Sequence, residues 1–138
     1  MTVCLLLAGA VAAALPTEAF TLAWTHSVEK TEWREEWRVE DGRLALVEAS
    51  VAGSGAGMQP ADGAQLEGGV WRWRPSVEPL FRLRLANSAY GGDYRLCWDG
   101  TCRPLAALLR EAVGEPVEVA PCRQPAAPAV GGNEEKKR

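Results

Sequence analysis

The most regular feature of this sequence is an alternation of apolar and polar residues, which predicts β-strands because strand side chains point to opposite faces in turn. Residues 20–28 place phenylalanine, leucine, tryptophan, histidine and valine on one face, and small or hydroxylated residues on the other. Residues 32–40 alternate similarly, and Asp41-Gly42, a preferred pair for a two-residue type I′ turn, leads into a third strand over 43–51. The pattern predicts three consecutive antiparallel strands.

The second of these segments also has features of a helix. Trp33 and Trp37 are four residues apart, and glutamate, which is frequent here, favours helices. We reject the helix because its apolar stripe would contain only those two tryptophans. The Asp41-Gly42 pair between two alternating segments is the stronger local signal, and it favours a hairpin.

Further alternating segments, separated by turn residues at short intervals, extend the β pattern along the chain. They are predicted over 70–74, 80–86, 94–98 and 115–121. One helix is predicted over about residues 104–113, with Pro104 in its first turn, leucines recurring on one face and Gly114 just past its end. We therefore expect a mainly β fold, a small antiparallel sandwich or barrel with one helix.

The composition fits one domain. The chain has 138 residues, of which 47% are hydrophobic and 24% are charged, so it can bury a single modest core. We place this domain at 20–122 and predict a disordered tail over 123–138, which is polar and contains proline and glycine. The net charge is -3 and the basic residues are scattered, so a nucleic-acid partner is not expected.

An apolar run at the start of the chain, residues 3–15, is too short to cross a bilayer as a helix and is typical of a signal peptide. We predict a signal peptide over 1–14, or up to residue 19, and a periplasmic or secreted protein. No lysine or arginine precedes the apolar run, unlike a standard signal peptide. The alternatives are a buried N-terminal strand and a retained amphipathic anchor.

The cysteines point to the same compartment. Cys97 and Cys102 flank Asp99-Gly100, another type I′ turn pair, and would face each other with Cα atoms about 4.5 Å apart, which permits a disulfide. A zinc site is not predicted, because no second cysteine or histidine pair completes four ligands. Cys4 would leave with the signal peptide, and Cys122 would then stay free or compete for a partner.

Candidate acid–base residues lie around the first hairpin. If Asp41-Gly42 sets the register, Glu35 faces Glu48, and a four-residue connection from the preceding strand makes His26 a diagonal neighbour of Glu35. Two carboxylates on a tryptophan-lined face would repel each other, and burial would raise the pKa of at least one of them. His26, Glu35 and Glu48 are therefore candidates for catalysis or ligand binding. The alternative is a half-solvated structural ion network.

A glycine-rich segment follows the third strand. Gly53, Ser54, Gly55 and Gly57 are candidate anion-binding residues, because glycines with positive φ can direct consecutive amides toward one anion. A sharp corner between sheets is the alternative. The spacing matches neither a dinucleotide-binding nor a P-loop motif, and Ser54 lacks a nucleophile elbow, so no cofactor is predicted.

Several of these stretches together resemble a known family. "HSVEKT" with the following E-x-W, then "GSGAGM", and "GDYRLC" with C-x-P-L are similar to the bacterial domain-of-unknown-function family numbered eighteen-fifty. The resemblance implies a small exported protein, of a kind often encoded beside the fused membrane subunits of TAXI-type TRAP transporters. Those transporters take up small organic anions with an extracytoplasmic solute-binding protein. No catalytic residues come with the resemblance.

The function expected from the residues and the resemblance is a non-enzymatic periplasmic accessory or small-anion-binding domain. Its expected partners are the TRAP transporter membrane subunit, its solute-binding protein or a small organic anion. The first alternative is a small hydrolase or lyase that uses Glu35 or Glu48 as a base with His26 as acid or orienting group. A purely structural secreted domain is the second.

Overall fold

The structure is a computed structural model that describes residues 1–25, 31–52, 63–85, 94–109 and 116–123. The strands in these ranges, in chain order, are β1 Thr2–Leu7, β2 Ala10–Leu15, β3 Ala19–Thr25, β4 Glu32–Glu40, β5 Arg43–Ala52, β6 Gln65–Glu67, β7 Val70–Trp73, β8 Leu83–Leu85, β9 Arg95–Trp98, β10 Thr101–Pro104 and β11 Val117–Cys122. The helix α1 spans Leu105–Leu108.

The strands form two antiparallel sheets. The first sheet has the order β2-β1-β11-β8, and the second has the order β10-β9-β3-β4-β5-β7-β6. Neither sheet closes into a barrel within the described residues, so the mainly β, sandwich-type prediction is confirmed and the barrel option is not realised.

One hydrophobic core lies between the two sheets. The first sheet contributes apolar side chains from alternate positions of β1 and β11, and the second contributes them from β3, β4, β5 and β9. Residues that are at most 2% exposed in this core are Val3, Leu5, Leu15, Leu22, Leu44, Leu96, Val117 and Val119. Because both sheets supply them, neither sheet buries its apolar face alone.

The N-terminal apolar segment forms part of this core. Residues predicted as a signal peptide form β1 and nearly all of β2, and Val3 and Leu5 are fully buried. The first sheet therefore contains the buried N-terminal strand that the sequence allowed as an alternative. The structure does not test export, which stays a prediction.

Two disulfides connect the described cysteines. The predicted Cys97–Cys102 bond is present, and its Cα atoms are 3.9 Å apart across the β9–β10 hairpin. The expectation that Cys122 lacks a fixed partner is wrong. It is bonded to Cys4, across a sequence separation of 118 residues, because β11 pairs with β1 in the first sheet.

The first predicted hairpin is correct at its turn. The bounds of β4 match the prediction, and Asp41 and Gly42 have φ angles of 52° and 75°, as a type I′ turn requires. The register changes further along, because β5 contains a bulge: Trp37 pairs with Leu46, but Glu36 pairs with Glu48. Val47 is the extra residue.

The bulge overturns the predicted pairing of Glu35 with Glu48. Glu35 pairs with Ala49 instead, and Glu48 turns to the other face of the sheet. An unbroken register would have directed Glu48 toward the core and Val51 away from it. With the bulge, Ala49 and Val51 are 5% and 2% exposed, so apolar side chains fill the core positions.

The end of the chain departs less from expectation. The helix α1 begins directly after Pro104, as predicted, but it ends at Leu108 with Leu109 as its C-cap, well before the predicted end at residue 113. Residues 110–115 lie outside the described ranges. The last predicted strand is β11. The short strand β6 lies where no strand was predicted.

Candidate functional site

Half-buried aromatic side chains surround one carboxylate at one end of the second sheet. Alternation and cross-strand pairing place these side chains on the core-facing side of β3, β4, β7 and β9. We call the group the aromatic–carboxylate cluster, and its members are Trp24, Trp33, Glu35, Trp37, Trp73 and Tyr94.

The rings of the cluster contact one another in an extended row. Trp24 and Trp33 are directly paired across β3 and β4, and their rings stack with centroids 6.1 Å apart and planes 7° from parallel. Tyr94 lies 5.8 Å from Trp24 in a tilted arrangement, and Trp73 meets Trp33 edge-on at 6.3 Å. Such offset and edge-on geometries are the favoured ones for aromatic pairs.

Glu35 is the acidic member of the cluster. Trp37 Nε1 donates a hydrogen bond of 3.1 Å to Glu35 Oε1, and Trp37 itself is only 3% exposed. Burial raises the pKa of Glu35 above its ordinary value, and the hydrogen bond from Trp37 lowers that pKa by a smaller amount. Glu35 therefore holds a proton more readily than an exposed glutamate.

Tyr94 responds to the same environment. Burial raises the pKa of its hydroxyl, and the nearby charge of Glu35 raises that pKa further. A tyrosine with a raised pKa stays neutral at physiological pH and keeps its proton as a hydrogen-bond donor.

The predicted acid–base residues do not come together as expected. Glu48 lies on the outer face, where Arg72 Nη1 is 3.9 Å from its Oε2, and so is not beside Glu35. The connection between β3 and β4 is also longer than expected, since Trp24 pairs with Trp33 rather than with Glu35. His26 lies outside the described residues.

The predicted anion-binding glycines, Gly53, Ser54, Gly55 and Gly57, also lie outside the described residues. Their position in the chain can still be related to the cluster. Segments 26–30, 53–62 and 86–93 each have at least one end at the same end of the second sheet, after Thr25, after Ala52 and before Arg95. The stretches "HSVEKT", "GSGAGM" and the start of "GDYRLC" therefore connect to strands beside the cluster.

The outer face of the second sheet is different in character. Arginine and glutamate side chains alternate there, and Glu32 contacts both Arg34, at 2.8 Å, and Arg95, at 3.6 Å. A groove of about 420 Å³ crosses this face, next to the Cys97–Cys102 disulfide. The groove and the cluster therefore lie on opposite faces of one sheet, and Trp37, a member of the cluster, borders both.

The chemistry available at the cluster is that of proton donation, hydrogen bonding and aromatic contact. Within the described ranges, no group of three or more histidine, cysteine, aspartate or glutamate side chains could hold a metal ion. Glu35, Tyr94 and Trp37 supply the polar atoms, and the indole rings supply flat apolar surfaces. This combination fits ligand binding, and it provides one candidate proton donor.

The sequence placed Glu35 on a tryptophan-lined face, but it did not predict the hydrogen bond from Trp37 or the approach of Tyr94. Trp37 was expected only as a packing residue, although its position two residues from Glu35 places both side chains on one face of β4. Tyr94 could be placed on the core side by alternation with Leu96. Its approach to Glu35, however, depends on the pairing of β9 with β3, which the local sequence does not specify.

The fold and the site define the class of this protein: it is a disulfide-bonded antiparallel β-sandwich domain with an aromatic–carboxylate cluster at one end of its larger sheet. Residues 20–105 match a family model described as Domain of unknown function (DUF1850). The chain belongs to this family, as its motifs indicated. The match begins at β3 and ends at α1, so β1, β2 and β11 lie outside it.

Comparison with curated proteins and with solved structures gave no match. Among the described residues, no helix has the length and apolar character needed to cross a membrane.

Proposed function

We propose that this chain is a non-enzymatic extracytoplasmic accessory or binding domain that works with a TAXI-type TRAP transporter. Its contact would be with the transporter membrane subunit or the solute-binding protein, or with a small organic anion that the system carries. The single observation that carries the proposal is the aromatic–carboxylate cluster, which lies at the sheet end where the segments with the family motifs attach.

The polar atoms of the cluster suit a carboxylate ligand when Glu35 is protonated. A neutral Glu35 donates a hydrogen bond to a ligand carboxylate, and the Tyr94 hydroxyl supplies a second donor. An ionised Glu35 would repel the same ligand. Because the pKa of Glu35 is raised, binding should strengthen as the pH falls from neutral toward the acidic range.

The proposed location outside the cytoplasm is supported by the two disulfides, which persist in oxidising compartments. We propose export together with retention of the N-terminal strands, since removal of residues 1–14 would take away β1 and the disulfide partner Cys4. Mass spectrometry of the protein from the periplasmic fraction should find a Cys4 peptide cross-linked to a Cys122 peptide. A mature N-terminus at residue 15 would contradict retention.

Co-purification tests the partner. The full chain, expressed with the membrane subunit and the solute-binding protein of a TAXI-type system, should retain one of them at moderate salt. The matched variants are Trp33→Ala, which removes a half-buried ring of the cluster, and Arg82→Ala, a distant exposed change. Retention should fall with the first variant and not with the second. Equal retention by both would place the contact elsewhere.

Calorimetry with succinate, a small dicarboxylate, tests the ligand. Wild type should gain more affinity than Glu35→Gln when the pH falls from 7 to 5, because only wild type can protonate residue 35, whereas succinate takes up its own proton in both measurements. Glu36→Gln is the matched control, since Glu36 is the next residue on the strand but faces the outer side. If wild type neither binds succinate nor retains a transporter protein, the proposed function is wrong.

A second candidate, a small hydrolase or lyase, is favoured by one observation. The raised pKa of Glu35 is the property expected of a general acid. Glu48, the carboxylate predicted to lie beside Glu35, faces the outer side of the sheet and is therefore not next to Glu35. Hydrolysis of p-nitrophenyl acetate that is lost in Glu35→Gln but kept in Glu36→Gln would favour the enzyme over the binding domain.

A further inference from the structure

The two disulfides of this protein occupy different environments. Cys4 is 2% exposed, and its bond to Cys122 joins the first and last strands of the described chain. Cys97 is 8% exposed, whereas its partner Cys102 is exposed to solvent on β10, an edge strand of four residues. Cys122 is half-buried, so Cys102 is the most exposed of the four cysteine residues.

The Cys97–Cys102 disulfide also borders a groove. The groove on the outer face of the second sheet is bordered by this disulfide and its turn on one side, and by charged residues of β4 on the other. Its charged residues are Arg34, Glu36, Arg38 and Asp99. Arg34 forms an ion pair with Glu32 at 2.8 Å. Arg38 is 54% exposed, and its ion pair among the described residues is a contact of 3.7 Å with Glu40.

We propose that Cys97–Cys102 is a reversible thiol–disulfide exchange site for low-molecular-weight thiols of the glutathione class, which enter by the outer-face groove. This site is separate from the aromatic–carboxylate cluster, which lies on the opposite face of the same sheet.

The exchange follows from the exposure of the two sulfurs. The thiolate of the small molecule attacks Cys102 Sγ, the Sγ–Sγ bond breaks, and its electron pair leaves on Cys97 Sγ as a thiolate. A second thiolate then attacks the small-molecule sulfur of the mixed disulfide and releases Cys102 as a thiolate. Two thiols are oxidised to one disulfide, the protein disulfide is reduced, and the two protons end on the cysteines.

The fold allows the reduced form to close again. The β9–β10 hairpin keeps four paired positions without the disulfide, and β9 remains paired with β3 at three positions. Cys97 and Cys102 therefore stay opposite each other, so reoxidation is intramolecular. Cys4–Cys122 also joins strands that are paired without it, at six positions, but Cys4 is 2% exposed and lies in a strand whose side chains form the core, so burial hinders attack on this bond.

Graded reduction of the wild-type chain tests the proposal. The oxidised protein is equilibrated in buffers of reduced and oxidised glutathione, quenched with acid, alkylated with N-ethylmaleimide and mapped by mass spectrometry. Cys97 and Cys102 should become half-reduced at a glutathione ratio at least roughly tenfold less reducing than Cys4 and Cys122. Tryptophan fluorescence should show that the fold persists, and reoxidation should restore the bond.

Two results would overturn the exchange site. One is reduction of both disulfides at the same ratio, and the other is opening of Cys97–Cys102 only together with global unfolding. Cys97→Ala/Cys102→Ala is the matched control, and it should fold and keep the Cys4–Cys122 bond. If this variant does not fold, the bond is structural and the proposal fails. These readouts follow thiols alone, so they are independent of succinate or transporter binding.

A kinetic comparison tests the role of the groove. Arg38 is an exposed cation of the groove and would attract the anionic thiol, so Arg38→Gln should slow reduction of Cys97–Cys102 several-fold. Arg72→Gln is the control, because Arg72 lies on the same outer face but does not border this groove. Equal rates in the two variants would contradict entry through the groove.

Discussion

At the scale of single residues, Glu35 is the most informative side chain of this protein. On the same face of β4 its neighbours are tryptophans, and Trp37 donates a hydrogen bond to it. On the adjacent strand β5, Glu35 pairs with Ala49. A carboxylate in such surroundings loses hydration that one hydrogen bond does not replace. The alternation along β4 predicted its aromatic neighbours from the sequence alone.

Glu35 should make stability depend on pH. Because its pKa is raised in the folded state, the folded protein binds the proton more tightly than the unfolded chain does. This tighter proton binding adds stability at pH values below the unfolded-state pKa of glutamate, about 4.3. The added stability is lost as the pH rises through the pKa of Glu35 in the folded state. Glu35→Gln should remove this loss and be more stable than wild type at pH 7, by a few tenths to about 1 kcal/mol, as expected for a partly hydrated carboxylate.

Urea unfolding at several pH values measures this difference. The advantage of Glu35→Gln over wild type should shrink as the pH falls toward 4, where both side chains are neutral. Glu36→Gln, on the exposed outer side, should show no comparable pH-dependent difference. A constant gap between Glu35→Gln and wild type at all pH values would contradict the assignment.

Trp37 should matter through its indole nitrogen as well as its volume. Trp37→Phe removes the hydrogen bond to Glu35 and part of a side chain that is 3% exposed, so it should destabilise the fold by about 1–3 kcal/mol. Loss of that bond raises the pKa of Glu35 further, so the deficit should grow with rising pH.

The double variant Trp37→Phe/Glu35→Gln separates the two causes. The free energy of unfolding of the double variant should be lower than that of Glu35→Gln by an amount that does not depend on pH. The remaining difference comes from lost side-chain volume, which involves no titrating group. A pH-dependent deficit that persists in the double variant would show that Glu35 is not the titrating group.

At the scale of elements, the β4–β5 hairpin shows what a local pattern does and does not specify. Asp41-Gly42 specifies the turn, because both residues must adopt positive φ and aspartate and glycine tolerate it. The turn therefore fixes the pairing of Val39 with Leu44 and of Trp37 with Leu46. Beyond that point the bulge at Val47 decides which side chains face the core.

Gly42→Ala tests the turn. Apart from its chain neighbours, no atom of the described residues lies within 4 Å of the position where a Cβ would be added, so the cost is that of placing alanine at a φ of 75°. We expect a loss of about 1–2 kcal/mol in the free energy of unfolding, because an L-residue is strained in this region. Ser76→Ala, at an exposed position outside the strands, should change stability by less than about 0.5 kcal/mol. Equal losses in the two variants would mean that the turn does not hold this conformation.

At the scale of the whole molecule, the termini complete the fold. The family match covers residues 20–105, yet six residues of the buried core come from outside it: Val3, Leu5, Leu15, Leu109, Val117 and Val119. The matched segment alone would leave the core-facing side of its large sheet without most of its cover. The first sheet, fastened by Cys4–Cys122, is therefore part of the same folding unit.

The two disulfides should contribute unequally to stability. In the chain-entropy description, a bond between residues 118 apart in sequence stabilises the fold by about 5 kcal/mol, and one between residues 5 apart by about 2 kcal/mol. Cys4→Ala/Cys122→Ala should therefore lower the midpoint of guanidinium unfolding far more than Cys97→Ala/Cys102→Ala. Equal losses would indicate that strain or residual structure in the unfolded chain outweighs loop entropy.

Much of this fold could be predicted from the sequence, because strand alternation and turns depend on residues that are close together in the chain. Period-two alternation gave most strands of the second sheet, and two Asp-Gly pairs gave two hairpins together with the Cys97–Cys102 bond. The N-terminal strands were missed for an equally physical reason. A short run of apolar residues has the same composition whether it is a signal peptide or a strand that is buried on both faces.

By itself, the sequence determined the mainly β class, the turns and the aromatic lining around Glu35, because each depends on residues within a few positions of one another. Only the tertiary structure decided the bulge that separates Glu35 from Glu48, the approach of Tyr94 to Glu35, and the pairing of Cys4 with Cys122. These contacts join distant parts of the chain. Their energies depend on which side chains fill the shared core, and no local pattern contains that information.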